Sequence, residues 1–376
     1  IVGWTTHSCV SRCTSASDKN KAADSLPKVH INDSISNALT EGKEYHEMDS
    51  VIERYLKRWE INGAQLVTTR NDSLLYARGF GMADKERGIR MEPNMLMRFA
   101  SVSKLITAVG IMKLQEMKKL KLKEKVFGEK GILRDTVYNN SIKDKRYYDI
   151  TVEQLLRHQA GFNNYAGDPV SSTRYIMMQN HLKTPPDHPT LLKILLKRHL
   201  GYTPGEGKCY SNLGYMILSM IIEKKSGMKY ENFMQKYVLH PAGCYDMHIA
   251  GTYLKDRRPN ETKYYMHQGS IPVYEYNNSG RLVEKCYGDT DLPRLSGAGA
   301  WCGSTAELSR FIASIDGLPH VKDILSKKSI EFMTREQADH QYSIGWNYTP
   351  KSNKPCIRTG SLAGTSAIVL KYPDNQ

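Results

Sequence analysis

Cysteine is sparse and unpatterned in this chain, with seven residues at 9, 13, 209, 244, 286, 302 and 356. An odd count at irregular spacing argues against a dense disulfide framework. Metal-ligand motifs are missing too. Cys9 and Cys13 have no second pair nearby, and His240 and His248 lack a helical H-E-x-x-H setting, so no metal or other cofactor is expected. No apolar run reaches the length of a membrane-spanning helix. Helix-turn-helix, zinc-finger and RNP signatures are also absent. The excess of Lys and Arg over Asp and Glu, 53 against 39, is spread over runs such as 113–130 and 193–198. It therefore reads as a solvated basic surface, and no nucleic-acid partner is expected.

What is present is ordinary globular material, 40% hydrophobic and 24% charged over 376 residues, enough for a large core. Ile1 to Cys9 loosely fits the tail of a secretory signal ending at a lipid-acceptor cysteine. Residues 10 to about 44, rich in Ser, Asn, Lys and Asp without a sustained period, read as a flexible tether. The expected organisation is a tether over 1–45 and a folded domain over 46–376, in the cell envelope.

The chemistry begins in residues 98–114. Ser101 and Lys104 stand three positions apart at the start of a strongly apolar run. On a helix such positions share a face, with side chains about 5–6 Å apart, so hydroxyl and amine can share a proton. Alone, the pair would read as an N-cap with a snorkelling lysine. Ser103 has its lysine at the wrong spacing. A second Ser-x-x-Lys, Ser226 to Lys229, falls in a helix-ending Ser-Gly turn and reads as structural.

Farther on, Thr203-Pro-Gly-Glu-Gly-Lys-Cys-Tyr210-Ser-Asn212 delivers Tyr210 and Asn212 to the mouth of a helix that is apolar nearly all round. Tyr-x-Asn recurs at 138, 230 and 276, but only Tyr210 sits on a tight loop pinned to a buried helix. Near the end stands Arg358-Thr359-Gly360-Ser361. His158 reads as a hydrogen-bonded structural histidine.

Between these stretches, periodicity predicts a helix over 48–59 with Val51, Ile52, Tyr55 and Leu56 on its apolar face, then a hairpin over 64–69 and 73–80. A capping box at Thr151 to Gln154 predicts a helix over 149–158. Further helices are expected over 191–200, 230–239 and 304–315, and strands over 342–346 and 367–372. Residues 250–295 read as loops and short strands walling a cleft.

Five stretches in order carry a resemblance: Phe99-Ala-Ser-Val-Ser-Lys104, Ile150-Thr-Val-Glu-Gln-Leu-Leu-Arg-His-Gln-Ala-Gly161, Thr203-Pro-Gly-Glu206, Tyr210-Ser-Asn-Leu-Gly-Tyr215 and Gly360-Ser-Leu-Ala-Gly-Thr365. From about Met48 to Tyr372 the chain resembles the serine β-lactamase-related family of class C β-lactamases, D,D-peptidases and β-lactamase-fold esterases. The resemblance implies an α/β (α+β) fold: an antiparallel sheet flanked by helices, with a mostly helical subdomain. It implies a serine hydrolase working through an acyl-enzyme on an amide, peptide or ester. Ser101 would be the nucleophile, Lys104 its base and Tyr210 the second proton-transfer group. Asn212, Arg358, Thr359, Gly360 and Ser361 would bind substrate, and the Ser101 and Ser361 amides would form an oxyanion hole, each such donor contributing about 3–4 kcal/mol.

Arg358 departs from the family, which usually has Lys or His there. Arginine keeps a cation that can clamp a carboxylate with two hydrogen bonds, but it cannot exchange protons near neutral pH. The rival expectation is an inactive relative that binds wall fragments or a protein partner. Chains of this family usually continue past the 367–372 strand with a further sheet strand and a helix, so an interruption of the sheet is expected there. No motif names the substrate or the oligomeric state.

Overall fold

The computed structural model describes residues 31–165, 167–335, 342–347 and 355–373. Its first described residues already pack. Ile31 and Ile35 are buried against Ala77 and Ala306, and Asn37 accepts from the Gly79 amide and donates to Met91 O. The folded body therefore includes 31–45, upstream of the expected boundary at 45, because two isoleucines there bury apolar surface. Cys9, Cys13 and the expected anchor lie outside the described residues.

Helix α1 spans His46–Arg58, but only Leu56 of its expected apolar face is buried. Leu56 packs with Ile52 on Tyr76 and Phe80, whereas Val51 is 52% and Tyr55 57% exposed. The hairpin is as expected. Strands β1 (Gly63–Arg70) and β2 (Ser73–Asp84) pair antiparallel from Gly63–Gly81 to Arg70–Ser73, and β3 (Ile89–Arg90) joins β2.

Strand β4 (Met97–Arg98) leads through a 3₁₀ turn, Ala100–Val102, into α2 (Ser103–Glu116). Helices α3 (Thr136–Asn139) and α4 (Val152–Leu156) follow, α4 opened by the expected capping box of Thr151 and Gln154. Next come α5 (Thr173–Gln179), α6 (His188–Leu195) and α7 (Asn212–Ser226). The core forms where α2 meets α7. Every residue of α2 from Ser103 to Met112 and of α7 from Leu213 to Ile222 is buried, so both helices are centrally placed. Helix α8 (Tyr230–Met234) runs on into a π turn, Gln235–Leu239.

The 248–295 region holds β5 (His248–Ile249), β6 (Val273–Tyr274) and β7 (Leu282–Val283) between loops. Then come α9 (Ser296–Gly299), β8 (Trp301–Gly303), α10 (Thr305–Ala313), α11 (Lys327–Thr334), β9 (Cys356–Leu362) and β10 (Thr365–Lys371). Strand β8 lies between β4 and β5, while β9 and β10 form their own antiparallel pair. Residues 342–347 are not a strand. Their backbone bends, with the Asn347 amide donating to Ile357 O.

The antiparallel sheets and flanking helices expected of the fold class are present. Among the described residues, β1 pairs only with β2 and β10 only with β9, so the two hairpins lie in separate sheets.

Candidate active site

The chain turns sharply where β4 gives way to the 3₁₀ turn, and Ala100 makes that turn at φ +50, a costly left-handed conformation for a residue with a Cβ. The turn is clamped by Phe99 N–H donating to Trp301 O at 2.9 Å and Val102 N–H to Phe99 O at 3.1 Å. Ser101 thus stands before α2 rather than inside one continuous α-helix. The expected stacking survives because residues i and i+3 eclipse in 3₁₀ geometry. Ser101 is half-exposed, and Lys104 behind it is fully buried.

Lys104 Nζ donates to Ser101 Oγ at 3.1 Å, to Asn212 Oδ1 at 2.6 Å and to Ala298 O at 2.5 Å. Its ammonium has no water to lean on, and burial lowers its pKa to about 8. The nearby Arg358 cation lowers it further, while Tyr210 and Asp168 oppose. The positive end of α2 acts in the lowering direction as well.

Tyr210 reaches the same serine from the other side, its hydroxyl donating to Ser101 Oγ at 2.7 Å. The loop carrying it is held at several points. Asn164 donates to Tyr210 O at 2.6 Å, the Ser211 side chain caps α7 by accepting from Gly214 N–H, and the Asn212 amide donates to Asp168 Oδ2 at 3.2 Å. Burial pushes the Tyr210 phenol up, but the Lys104 and Arg358 cations outweigh it, and the net shift is downward.

His158 lies beneath the phenol with ring centroids 4.6 Å apart, and its Nδ1 accepts from the Ser211 N–H at 3.1 Å. Burial, then Lys104 and Arg358, hold its pKa far below the ordinary value, so the ring is neutral and free to accept. The structural reading of this residue holds, with its place against the phenol added.

Strand β9 closes the site. Gly360 must be glycine, because a Cβ there would stand 2.3 Å from Phe99 O and 2.8 Å from Ser101 N. The alternation of a strand splits the four residues expected to bind substrate. Arg358 and Gly360 face the 99–102 turn and are buried, and Thr359 and Ser361 are exposed. Thr359 N–H donates to Asn347 Oδ1, and Asn347 Nδ2 to Thr359 Oγ1.

Arg358, expected to clamp a substrate carboxylate, already has two of its three guanidinium nitrogens engaged, and Nη1 has no hydrogen-bond partner among the described residues. It is only 1% exposed; Nε donates to Ser101 O at 2.8 Å and Nη2 to Tyr210 OH at 3.2 Å. Its guanidinium braces the Ser101 backbone and the Tyr210 phenol.

The structure therefore brings Ser101, Lys104, Tyr210, Asn212 and Arg358 into one network, with Gly360 pressed against its floor. Sequence reasoning missed Asn164, Asp168 and Ala298. Two of these lie in the 161–190 loop, which carries no periodic signal, and Ala298 acts through its carbonyl, which no side-chain pattern can announce. Beside the site, a cavity of about 320 Å³ opens among Tyr147, Phe162, Tyr165, Tyr175 and Leu213.

Comparison with known proteins finds relatives of the same fold. The chain is 26% identical over 349 residues to penicillin-binding protein 4* of Bacillus subtilis (strain 168), covering 88% of this chain and 69% of that one. It is 23% identical over 334 residues to protein flp of Staphylococcus aureus (strain MRSA252), covering 87% of this chain and 60% of the relative. Among solved structures, the D-amino acid amidase of Ochrobactrum anthropi SV3 superposes with a TM-score of 0.67 at 19% identity, covering 89% of each chain. The octameric penicillin-binding protein homologue of Pyrococcus abyssi gives 0.60 at 21% identity, covering 88% of this chain and 71% of that one. Residues 48–376 match the Beta-lactamase family along nearly the whole folded body, and the chain belongs to that family.

Proposed function

We propose that the protein is a serine hydrolase that forms an acyl-enzyme at Ser101 from an amide, peptide or ester. The observation that carries this reading is the double engagement of Ser101 Oγ by Lys104 Nζ at 3.1 Å and Tyr210 OH at 2.7 Å. A serine hydroxyl attacks only when a neighbour takes its proton, and here two proton-transfer groups converge on it.

In the forward step the Oγ–carbonyl bond forms as neutral Lys104 accepts the hydroxyl proton. Tyr210 then donates its phenolic proton to the leaving nitrogen or oxygen as the scissile bond breaks, and recovers one from Lys104. Water repeats the sequence against the ester. Asn212 keeps the lysine aimed through the bond at 2.6 Å. The Ser101 and Ser361 amides take the oxyanion. Thr359 N–H points off β9 toward Asn347, away from β10, and the two-residue period sends the Ser361 amide the same way. The chain's likeness to penicillin-binding proteins also supports a place in the cell envelope; no described helix is long and apolar enough to cross a membrane.

A fluorophosphonate probe should label Ser101, and a panel of nitrocefin, a nitrophenyl ester and a D-alanyl peptide should then identify the substrate class. Absence of label on well-folded protein would overturn the enzyme reading in favour of a binding protein.

A further inference from the structure

Behind the 99–102 turn lies a second group of reactive side chains. His248, Glu261 and Cys302 are all buried, and their nitrogen, oxygen and sulfur atoms lie within 4.8 Å of one another. The sheet register brings them together. His248 and Cys302 are direct partners across β5 and β8, so their side chains leave the same face, and a bridge between Leu96 and Glu261 fixes the carboxylate.

The hydrogen bonds around the group orient it outward from each partner and inward to a common point. His248 Nδ1 lies 3.0 Å from Asp246 O. A carbonyl can only accept, so Nδ1 carries the proton and Nε2 presents its lone pair to the group. Glu261 Oε1 accepts from Tyr264 OH at 2.9 Å, and Oε2 accepts from the Arg258 amide at 3.2 Å. A histidine fixed by a carbonyl and a carboxylate fixed by donors form the outer support that metal ligands require.

An imidazolium–carboxylate pair is the competing account. The Nε2 to Oε2 distance of 3.8 Å is long for a charge-assisted hydrogen bond, and such a pair leaves the Cys302 sulfur with only a long contact of 4.0 Å to Tyr264 OH. Arg98, the guanidinium beside the group, is turned to Cys286 O and Gly251 O and stacks 4.1 Å from the Tyr264 ring.

We propose that His248 Nε2, Glu261 and the Cys302 thiolate form a binding site for a zinc-type divalent cation. Nitrogen, carboxylate and thiolate are the zinc ligand types, and bonds of about 2.0–2.3 Å require the three donors to draw in by about 1 Å. On binding, the thiol proton leaves to solvent as the metal–sulfur bond forms. The ion would tie β5, β8 and the 252–262 loop together. Trp301, next to Cys302, receives the Phe99 amide and donates to Ser103 Oγ, so the ion would brace the floor of the Ser101 turn.

Because the site is buried, metal loads as the chain folds, and the test is made on protein expressed in zinc- or cobalt-supplemented medium. The full chain carries Cys9→Ser and Cys13→Ser to remove the closely spaced pair of thiols near its start. Purified protein should retain about one metal per chain by mass spectrometry, with a thiolate-to-cobalt charge-transfer band in the cobalt form. Cys302→Ser should abolish the band, and His248→Gln should lower retention about tenfold. Circular dichroism checks that each variant is folded. Metal-free parent protein, or a band that survives Cys302→Ser, would overturn the proposal; should that variant not fold, retention in His248→Gln decides.

Discussion

The position of Lys104 makes a demanding prediction about pH. With its pKa lowered to about 8 by burial, the lysine is mostly charged at neutrality and cannot accept the Ser101 proton. About one molecule in eleven carries the neutral amine at pH 7 and about ten in eleven at pH 9, so acylation should rise roughly tenfold across that interval. The sign follows from the role, since a base works only when deprotonated and the rate must climb through the lysine pKa. The assay is the second-order rate of fluorophosphonate labelling at Ser101, followed by intact-mass spectrometry from pH 6 to 10. Lys104→Ala should lose about 10²- to 10⁴-fold, the range of general-base catalysis, and should lose the pH limb with it. Tyr210 still donates to Ser101 Oγ in that variant, so the nucleophile keeps one partner. A flat wild-type profile, or a limb that persists in Lys104→Ala, would refute the assignment of the base.

Three further outcomes follow from the same geometry. Arg358→Gln removes a cation that lowers both Lys104 and Tyr210, so the labelling limb should move to higher pH, whereas Arg358→Lys should hold it in place; an unmoved limb in the glutamine variant would count against the electrostatic role. Gly360→Ala would place a methyl 2.3 Å from Phe99 O, forcing β9 off the turn, and should cut labelling more than about tenfold with only a modest drop in Tm. Glu307 is buried, its Oε1 accepts from Asp246 N–H, its Oε2 has no hydrogen-bond partner among the described residues, and burial raises its pKa to about 7. The native state therefore holds a proton that the unfolded state releases above about 4.5, and stability falls as pH rises from 4.5 through 7. Glu307→Gln should raise Tm at pH 8, by up to about 3 kcal/mol of stability, and leave it nearly unchanged at pH 4. Equal shifts at both pH values would dismiss the ionisation argument.

Legibility varied with how local each signal was. The capping box at Thr151 is short-range chemistry and stands where its residues place it. The apolar α2 and α7 advertised their burial by being hydrophobic nearly all round. Helix α1 misled, because periodicity shows which residues share a face and not how much of that face a neighbour covers; Leu56 is covered and Val51 is not. The expected strand at 342–346 failed because Gly345 turns the backbone to φ +82, outside the extended region.

By itself, the sequence determined the candidate set: Ser101 and Lys104 at eclipsing spacing, Tyr210 and Asn212 at the head of a buried helix, and a short motif at 358–361. Local spacing and turn chemistry are enough for that. Tertiary structure alone decided what those groups can do. It buried Lys104 and so lowered its pKa, it turned Arg358 inward to Ser101 O and Tyr210 OH, and it slid His158 beneath the phenol. It also set His248, Glu261 and Cys302 at one point from three distant stretches. Burial and long-range juxtaposition are properties of the packed chain, and no window of sequence contains them.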